Sequence, residues 1–232
     1  MTTAGHTYSF ITGSRFVTAA AMLFSVLLIH AQGKTIADGK KDTIPTFRGI
    51  QVYADLVGAA QLAVSDYGQY EAGLRLNIKD KYFLVIEVGY GKADHHNDVT
   101  QTMYSTSAPY GKIGVDFNVL KNKHDIYKVF AGIRYAFTSF NFDVSHPDVK
   151  DPVWGTETPY GGKDIKAKYH WAEAVFGVDA KIAGPLHLGW SVRYRRRLAH
   201  DIAEMGNCWY VPGYGKTGST VITGTFNVTL DF

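Results

Sequence analysis

From Arg48 to Phe232 the chain repeats one pattern: short segments in which every second residue is apolar, joined by links that are alternately short and long. Successive side chains of a β-strand point to opposite faces, so such alternation marks strands with one apolar and one polar face. Eight segments carry it: Arg48 to Gly58, Gln69 to Ile78, Lys81 to Gly91, Tyr110 to Leu120, Ile126 to Phe137, Trp171 to Ile182, Leu186 to Arg197 and Thr220 to Phe232. Each is close to the ~9–11 residues with which a tilted strand crosses a bilayer. Lys79–Asp80, Lys121 to Asp125 and Ala183 to Pro185 form the short links. Ala59 to Gly68, Lys92 to Pro109, Thr138 to His170 and Leu198 to Ser219 form the long ones. A half-buried soluble sheet also alternates, but it has no reason to keep short and long links on opposite sides. The asymmetry predicts an all-β fold, a transmembrane antiparallel up-and-down β-barrel of about eight strands. Short periplasmic turns, long extracellular loops and two periplasmic termini go with it.

The N-terminus agrees with export. Phe16 to Ile29 is a continuous run of apolar or small residues behind Arg15. A run of about fourteen is short for a spanning helix, which needs ~20, and suits the hydrophobic stretch of a secretory signal. Cleavage after Ala31 is expected, so the chain divides into a signal peptide (1–31), a periplasmic segment (32–46) and an outer-membrane barrel (47–232). At the other end, alternating hydrophobics finish on Phe232, which looks like the C-terminal signal read by barrel-insertion machinery. Aromatics make up 14% of the chain, more than a soluble protein of this size needs. Tyr70, Tyr82, Tyr90, Tyr127, Trp171, Trp190 and Tyr194 near segment ends suit a girdle at the membrane interface.

The polar faces are charged. Asp55, Glu71, Glu87, Asp116, Glu173 and Asp179 stand against Arg75, Lys112, Lys128, Arg134, Lys181, Arg193 and Arg195. An eight-stranded barrel has an interior that side chains fill, and buried charges must be paired or hydrated. A lumen ion-pair network of Glu71, Arg75, Glu87, Lys112, Asp116, Arg134, Glu173, Asp179, Arg193 and Arg195 is therefore expected. The other reading of the same residues is an ion path or acid–base work by Glu71 and Glu87. Glycines 73, 89, 114, 132, 177 and 189 alternate with the charges and make room for them.

The long links hold the remaining chemistry. His95, His96, Asn97 and Asp98 cluster, but adjacent histidines diverge and no spaced pair follows, so no metal and no cofactor is expected. Cys208 is a single cysteine. Ser139, Ser145, His146, His170, His200 and Asp201 supply a nucleophile, bases and an acid, the parts of an outer-membrane lipid-modifying enzyme of the lipid A deacylase or acyltransferase kind; no GxSxG frames any of the serines. Two aromatic, proline- and glycine-bearing stretches, Asp151–Gly162 and Cys208–Gly215, suit ordered loops. Trp154, Tyr160, Trp209, Tyr210 and Tyr214 are then either a contact surface for a partner or a cap folded on the barrel. A formal charge of +3 without a basic tract gives no reason to expect nucleic acid.

The strings RGIQVYADL, DKYFLVIEVGYGKAD, SAPYGKIGVDFN, DPVWG and WYVPGYGKTGS resemble an uncharacterised family of small outer-membrane proteins from Bacteroidota, from about Pro45 to the end. The resemblance implies location and fold, with no activity and no catalytic residues. Asp42–Thr43–Ile44 looks like the O-glycosylation triplet of those bacteria, with Thr43 as acceptor. Taken together, the sequence favours a non-enzymatic barrel among outer-membrane lipids whose loops bind an outer-membrane protein or a surface lipoprotein. The alternatives are the lipid-modifying enzyme and a structural anchor.

Overall fold

The computed structural model describes residues 46–122, 126–150, 155, 157–201 and 208–232. The expected signal peptide, Thr43 and Trp154 lie outside them. Eight strands close into an antiparallel ring in the order β1-β10-β7-β6-β5-β4-β3-β2. They are β1 (Phe47–Asp55), β2 (Tyr67–Ile78), β3 (Tyr82–Asn97), β4 (Thr102–Asn118), β5 (Tyr127–Lys150), β6 (Glu157–Ala183), β7 (Leu186–His200) and β10 (Thr220–Asp231). Two short strands, β8 (Tyr210–Val211) and β9 (Gly215–Lys216), pair as a hairpin in the link from β7 to β10. The first and last strands seal the ring in register from Gln51↔Asp231 to Asp55↔Asn227. Closure leaves the ring without a free edge along this zone, so backbone N–H and C=O groups are paired around it.

The polarity of the barrel is inside-out. Along β3, Phe83, Val85 and Glu87 face in and are buried, while Leu84, Ile86 and Val88 face out and are exposed. The same holds around the ring, with Ile113, Ile133, Phe176, Trp190, Val192 and Ile222 outward. Tyr70, Tyr82, Tyr90, Tyr127 and Trp190 are exposed on this outer wall. Trp171 corrects the girdle expectation: it is wholly buried and points into the lumen, where its indole N–H donates to Glu173 at 2.8 Å.

The long links are shorter than the sequence suggested. β3 and β4 stay paired to Asn97↔Thr102, and β5 and β6 to Lys150↔Glu157. The periodic apolar signal fades in these stretches because outward positions become Ser105, Ser107, Ser139 and Asn141, yet the backbone ladder continues. Strand length judged from hydrophobicity therefore stops at the apolar band. The β3–β4 turn is set by the Asn97 carboxamide, which accepts from the Val99 and Thr100 amides at 3.0 and 3.1 Å.

The link after β1 is a helix, α1 (Leu56–Val64), where a strand end and loop were expected. Asp55 starts it. Its carboxylate accepts from the Val57 and Gly58 amides, both at 3.1 Å, and from the Phe226 amide of β10 at 3.1 Å. One side chain thus caps the helix and ties it to the barrel wall. At the opposite end, the β2–β3 turn places Lys79 and Asp80 at positive φ (54° and 56°), the geometry of a two-residue hairpin that matches strand twist. Asn77 holds it, donating to Asp80 Oδ1 and accepting from the Asp80 amide at 2.9 Å, while Arg48 pairs with Asp80 at 3.0 Å.

Candidate functional site

Two layers occupy the barrel interior. The lower layer is ionic. β7 carries Arg193 to the centre, where its guanidinium lies 2.7 Å from Glu71, 3.2 Å from Glu87 and 3.7 Å from Glu173. Lys112 reaches Glu71 at 2.8 Å and Glu173 at 3.0 Å. Arg134 bridges Glu87 (3.1 Å) and Asp116 (3.0 Å), and Arg75 approaches Asp116 at 3.4 Å. Arg195 pairs with Glu173 at 3.0 Å. Tyr110 donates to Glu71 at 2.8 Å and Tyr53 to Glu87 at 2.5 Å. Strand register explains why these particular residues meet: Glu87 lies directly opposite Lys112, and Glu173 lies between Arg134 and Arg195.

Each of these carboxylates is held by at least one buried cation, so none is placed as a free general base. Removal from water is offset only because the charges satisfy one another closely. Room is scarce too. A cavity near the short-turn end, between Gln51, Phe83 and Phe130, has space for about one water. Asp179 departs from the expected network and pairs with His187 at 2.7 Å. Lys181 continues the inward file opposite His187 and is exposed at the short-turn end.

The upper layer is a plug formed by Tyr210 to Tyr214, all buried. Tyr104 donates to the Tyr210 carbonyl at 2.7 Å, and Tyr210 donates to the Gly68 carbonyl at 3.1 Å. Arg195 donates to the Tyr214 carbonyl at 2.8 Å, linking plug to ionic layer. Two glycines permit the approach. A Cβ on Gly91 would lie 2.8 Å from Pro212 Cα, and Gly213 sits at φ +80° against the Tyr110 ring. Tyr210 and Tyr214 were candidates for partner contact; facing inward, they offer no surface to one. Trp209 is half-buried, stacked on His95 at 4.1 Å and edge-on to Tyr67 at 5.6 Å, with the Lys216 ammonium 5.3 Å from its ring. Tyr160 remains exposed, edge-on to His146. Sequence reasoning missed Gly91, Tyr104 and Tyr67. Only the Pro212–Gly213 turn flagged how tightly that loop folds.

The other candidates are dispersed. His95 bonds Asp66 at 3.0 Å and His96 lies 3.5 Å from Asp98; among the described residues no metal-ligating cluster forms. Ser139 faces Lys168 and Ser145 faces Gly161 across the β5–β6 ladder, while His200 pairs with Tyr169. His170 shares a 2.8 Å bond with Tyr135, and His146 contacts the Pro147 carbonyl at 2.5 Å. No Ser–His hydrogen bond joins them among the described residues. Asp201 lies exposed at the end of β7.

Cys208 stands at the plug's entrance, its thiol against Thr217 Oγ1 at 3.4 Å. Burial pushes the thiol above its ordinary value, so less thiolate is present at neutral pH. Maleimide labelling of the folded barrel at pH 7.5 is expected to be slower than that of the urea-unfolded chain by about tenfold or more. Equal rates would place Cys208 in open solvent.

Residues 14–232 match the family model described as a domain of unknown function, DUF6048. No curated protein matches the sequence. Several solved structures are similar. Neisserial surface protein A is 12% identical, covering 81% of this chain and 100% of its own, with a TM-score of 0.43. A major outer membrane protein from Thermus thermophilus is 13% identical, with coverages of 79% and 98% and a TM-score of 0.39. The N-terminal β-barrel domain of Pseudomonas aeruginosa OprF is 10% identical, with coverages of 79% and 97% and a TM-score of 0.36.

Proposed function

We propose, from the premise that the chain belongs to the DUF6048 family, that it is a non-conducting outer-membrane β-barrel whose long-loop end docks a protein partner. Membrane embedding is supported by the inside-out polarity. Val88, Ile133 and Trp190 are each 61% exposed and Ile222 is 72% exposed on one continuous wall. In water such a wall would drive aggregation; in lipid it is the stable solution. On this reading residues 1–31 are the signal peptide, 32–46 a periplasmic segment carrying Thr43 as a glycan acceptor, and 47–232 the barrel. Both termini and the short turns are periplasmic, in a Gram-negative cell of the Bacteroidota.

One observation carries the docking role. The last β6–β7 pair is Tyr169↔His200, yet β6 goes on pairing with β5 up to Glu157. The β5–β6 hairpin therefore projects from the rim, and beyond the Asp201 amide bond to the Lys168 carbonyl, β6 from Glu157 to Ala167 has no partner strand on its other side among the described residues. A partner strand that adds to this edge gains main-chain hydrogen bonds. Another outer-membrane protein or a surface lipoprotein is the partner class that reaches it.

The test is extraction of native outer membranes in mild detergent, with a tag placed after the signal peptide. A stoichiometric partner is expected on the full-length barrel. It is expected to be lost when residues 146–160 are replaced by a two-residue turn, and weakened by Tyr160→Ala, Trp154→Ala and Trp209→Ala. A lone barrel in the extract, or a partner indifferent to the shortened hairpin, overturns the reading.

A further inference from the structure

The first strand stops partway up the wall. Its last pairs are Ala54↔Ala72 with β2 and Asp55↔Asn227 with β10. Above them β2 runs on to Tyr67 and β10 to Thr220, with no strand between them among the described residues. Helix α1 stands at that place and packs against both β2 and β10. A Cβ on Gly58 would fall 2.6 Å from the Gln69 carbonyl oxygen, and one on Gly68 would fall 2.6 Å from the Leu62 amide nitrogen. The two glycines let helix and strand backbones touch, which fixes the face of α1 that turns outward. A helix satisfies its own backbone, so it can complete a wall where a strand is missing.

The outward face is apolar throughout. At ~3.6 residues per turn, Leu56, Val57, Ala60, Ala63 and Val64 share a face of about 120°. All five are exposed, Val64 by 86%. From Val52 to Ser65 the only charged side chain is Asp55, and it is buried as the helix cap. The stripe continues the outer wall: Val52 and Ala54 on β1 lead into Leu56, and Tyr70 and Phe226 are exposed on the flanking strands. Exposed cations stand alongside, Lys92 opposite Gly68 and Arg196 opposite Thr220. Apolar wall below and cations beside it are the surroundings of a helix at the boundary between acyl chains and headgroups. The stripe holds neither an aromatic nor an arginine, the usual anchors of a protein contact.

We propose that α1 is seated in the outer leaflet of the bilayer, its apolar stripe against lipid acyl chains. The proposal rests on the membrane reading and deepens it: this sector of the long-loop end belongs to lipid, and a protein partner meets the rim elsewhere.

The test uses the full mature barrel in phosphatidylcholine vesicles, with Cys208→Ser and one nitroxide-labelled cysteine at a time. Each variant is first shown to be closed by heat-dependent gel mobility. Ala60→Cys and Ala63→Cys report α1, Ile133→Cys reports the wall, and Val99→Cys reports the β3–β4 turn, where Val99 is 92% exposed. Relaxation by oxygen, which concentrates in lipid, is compared with relaxation by a water-soluble nickel chelate. The oxygen-to-nickel ratio at both helix positions is expected to exceed that at Val99 by about threefold or more. A ratio equal to that at Val99 puts the helix in water and overturns the proposal. Low access to both reagents overturns it as well, because a second copy then covers the stripe. Ile133 in lipid with α1 in water refutes this site alone; Ile133 in water refutes the membrane reading with it. The unmodified chain supplies a second measurement. A lipid with a photoreactive diazirine in its acyl chain is expected to mark residues 56–64 as it marks β5, and marking of β5 alone overturns the proposal.

Discussion

Arg193→Met is expected to destabilise the barrel by about 3–5 kcal/mol, as removal of one partner from a buried ionic cluster does. Arg193 has no exposed surface and is shared by Glu71, Glu87 and Glu173. Methionine fills much of its volume, so the loss is electrostatic rather than a cavity. Three carboxylates then remain with Lys112, Arg134 and Arg195, in a lumen whose cavity beside Arg75 and Asp116 has space for about one water. Against a typical total of about 5–15 kcal/mol this is a large fraction. The measurement is urea unfolding in vesicles followed by tryptophan emission, where the midpoint should fall with little change in slope. Glu71→Gln in the same chain should return part of the loss, because it removes the carboxylate that lay closest to the lost guanidinium and keeps an acceptor for Tyr110. A double variant as unstable as the sum of its parts, or a single variant within about 1 kcal/mol of wild type, would show that the cluster is not what holds the lumen together.

How much of this was legible beforehand depends on which force set each feature. Strand number and facing follow from a period of two, so the ring and the inward aim of Glu71, Glu87, Lys112 and Arg193 could be read directly from the sequence. Partner choice among those charges depends on register, which alternation does not give. That is why Asp179 was grouped with the cluster although it bonds His187. Helix α1 is not legible because Leu56–Val64 is apolar or small at every position but Gln61, and its helical state hinges on Asp55 as cap. The ends of β5 and β6 were missed because their outward residues turn polar above the apolar band. Trp171 is expected outward because aromatics favour interfaces, and for Tyr210 and Tyr214 the sequence leaves a partner surface and a cap on the barrel equally open. What decides their direction is long-range: a returning loop whose glycines fit against Tyr110 and beside Gly91.

The same loop supports the second large expectation. Gly213→Val should expel the plug yet leave the barrel non-conducting. At φ +80° a branched side chain is strained by about 1–2 kcal/mol. Its Cβ would also fall 2.4 Å from Tyr110 Cγ. That ring cannot easily yield, because its hydroxyl is bound to Glu71 at 2.8 Å. The cheaper response is for residues 208–218 to leave the mouth, breaking the Trp209–His95 stack and the Arg195 bond to the Tyr214 carbonyl. Maleimide labelling of Cys208 should then approach the unfolded-chain rate, while heat-dependent gel mobility still reports a closed barrel. Conductance in planar bilayers should stay at the level of the bare membrane, because Arg193, Glu87, Lys112 and Glu173 fill the section beneath. Steady ohmic steps from Gly213→Val would mean that the plug alone closes the lumen and acts as a gate, and the non-conducting reading would fall. Fast labelling without conductance would instead assign the seal to the ionic layer, leaving the plug to shape the outer face that a partner meets.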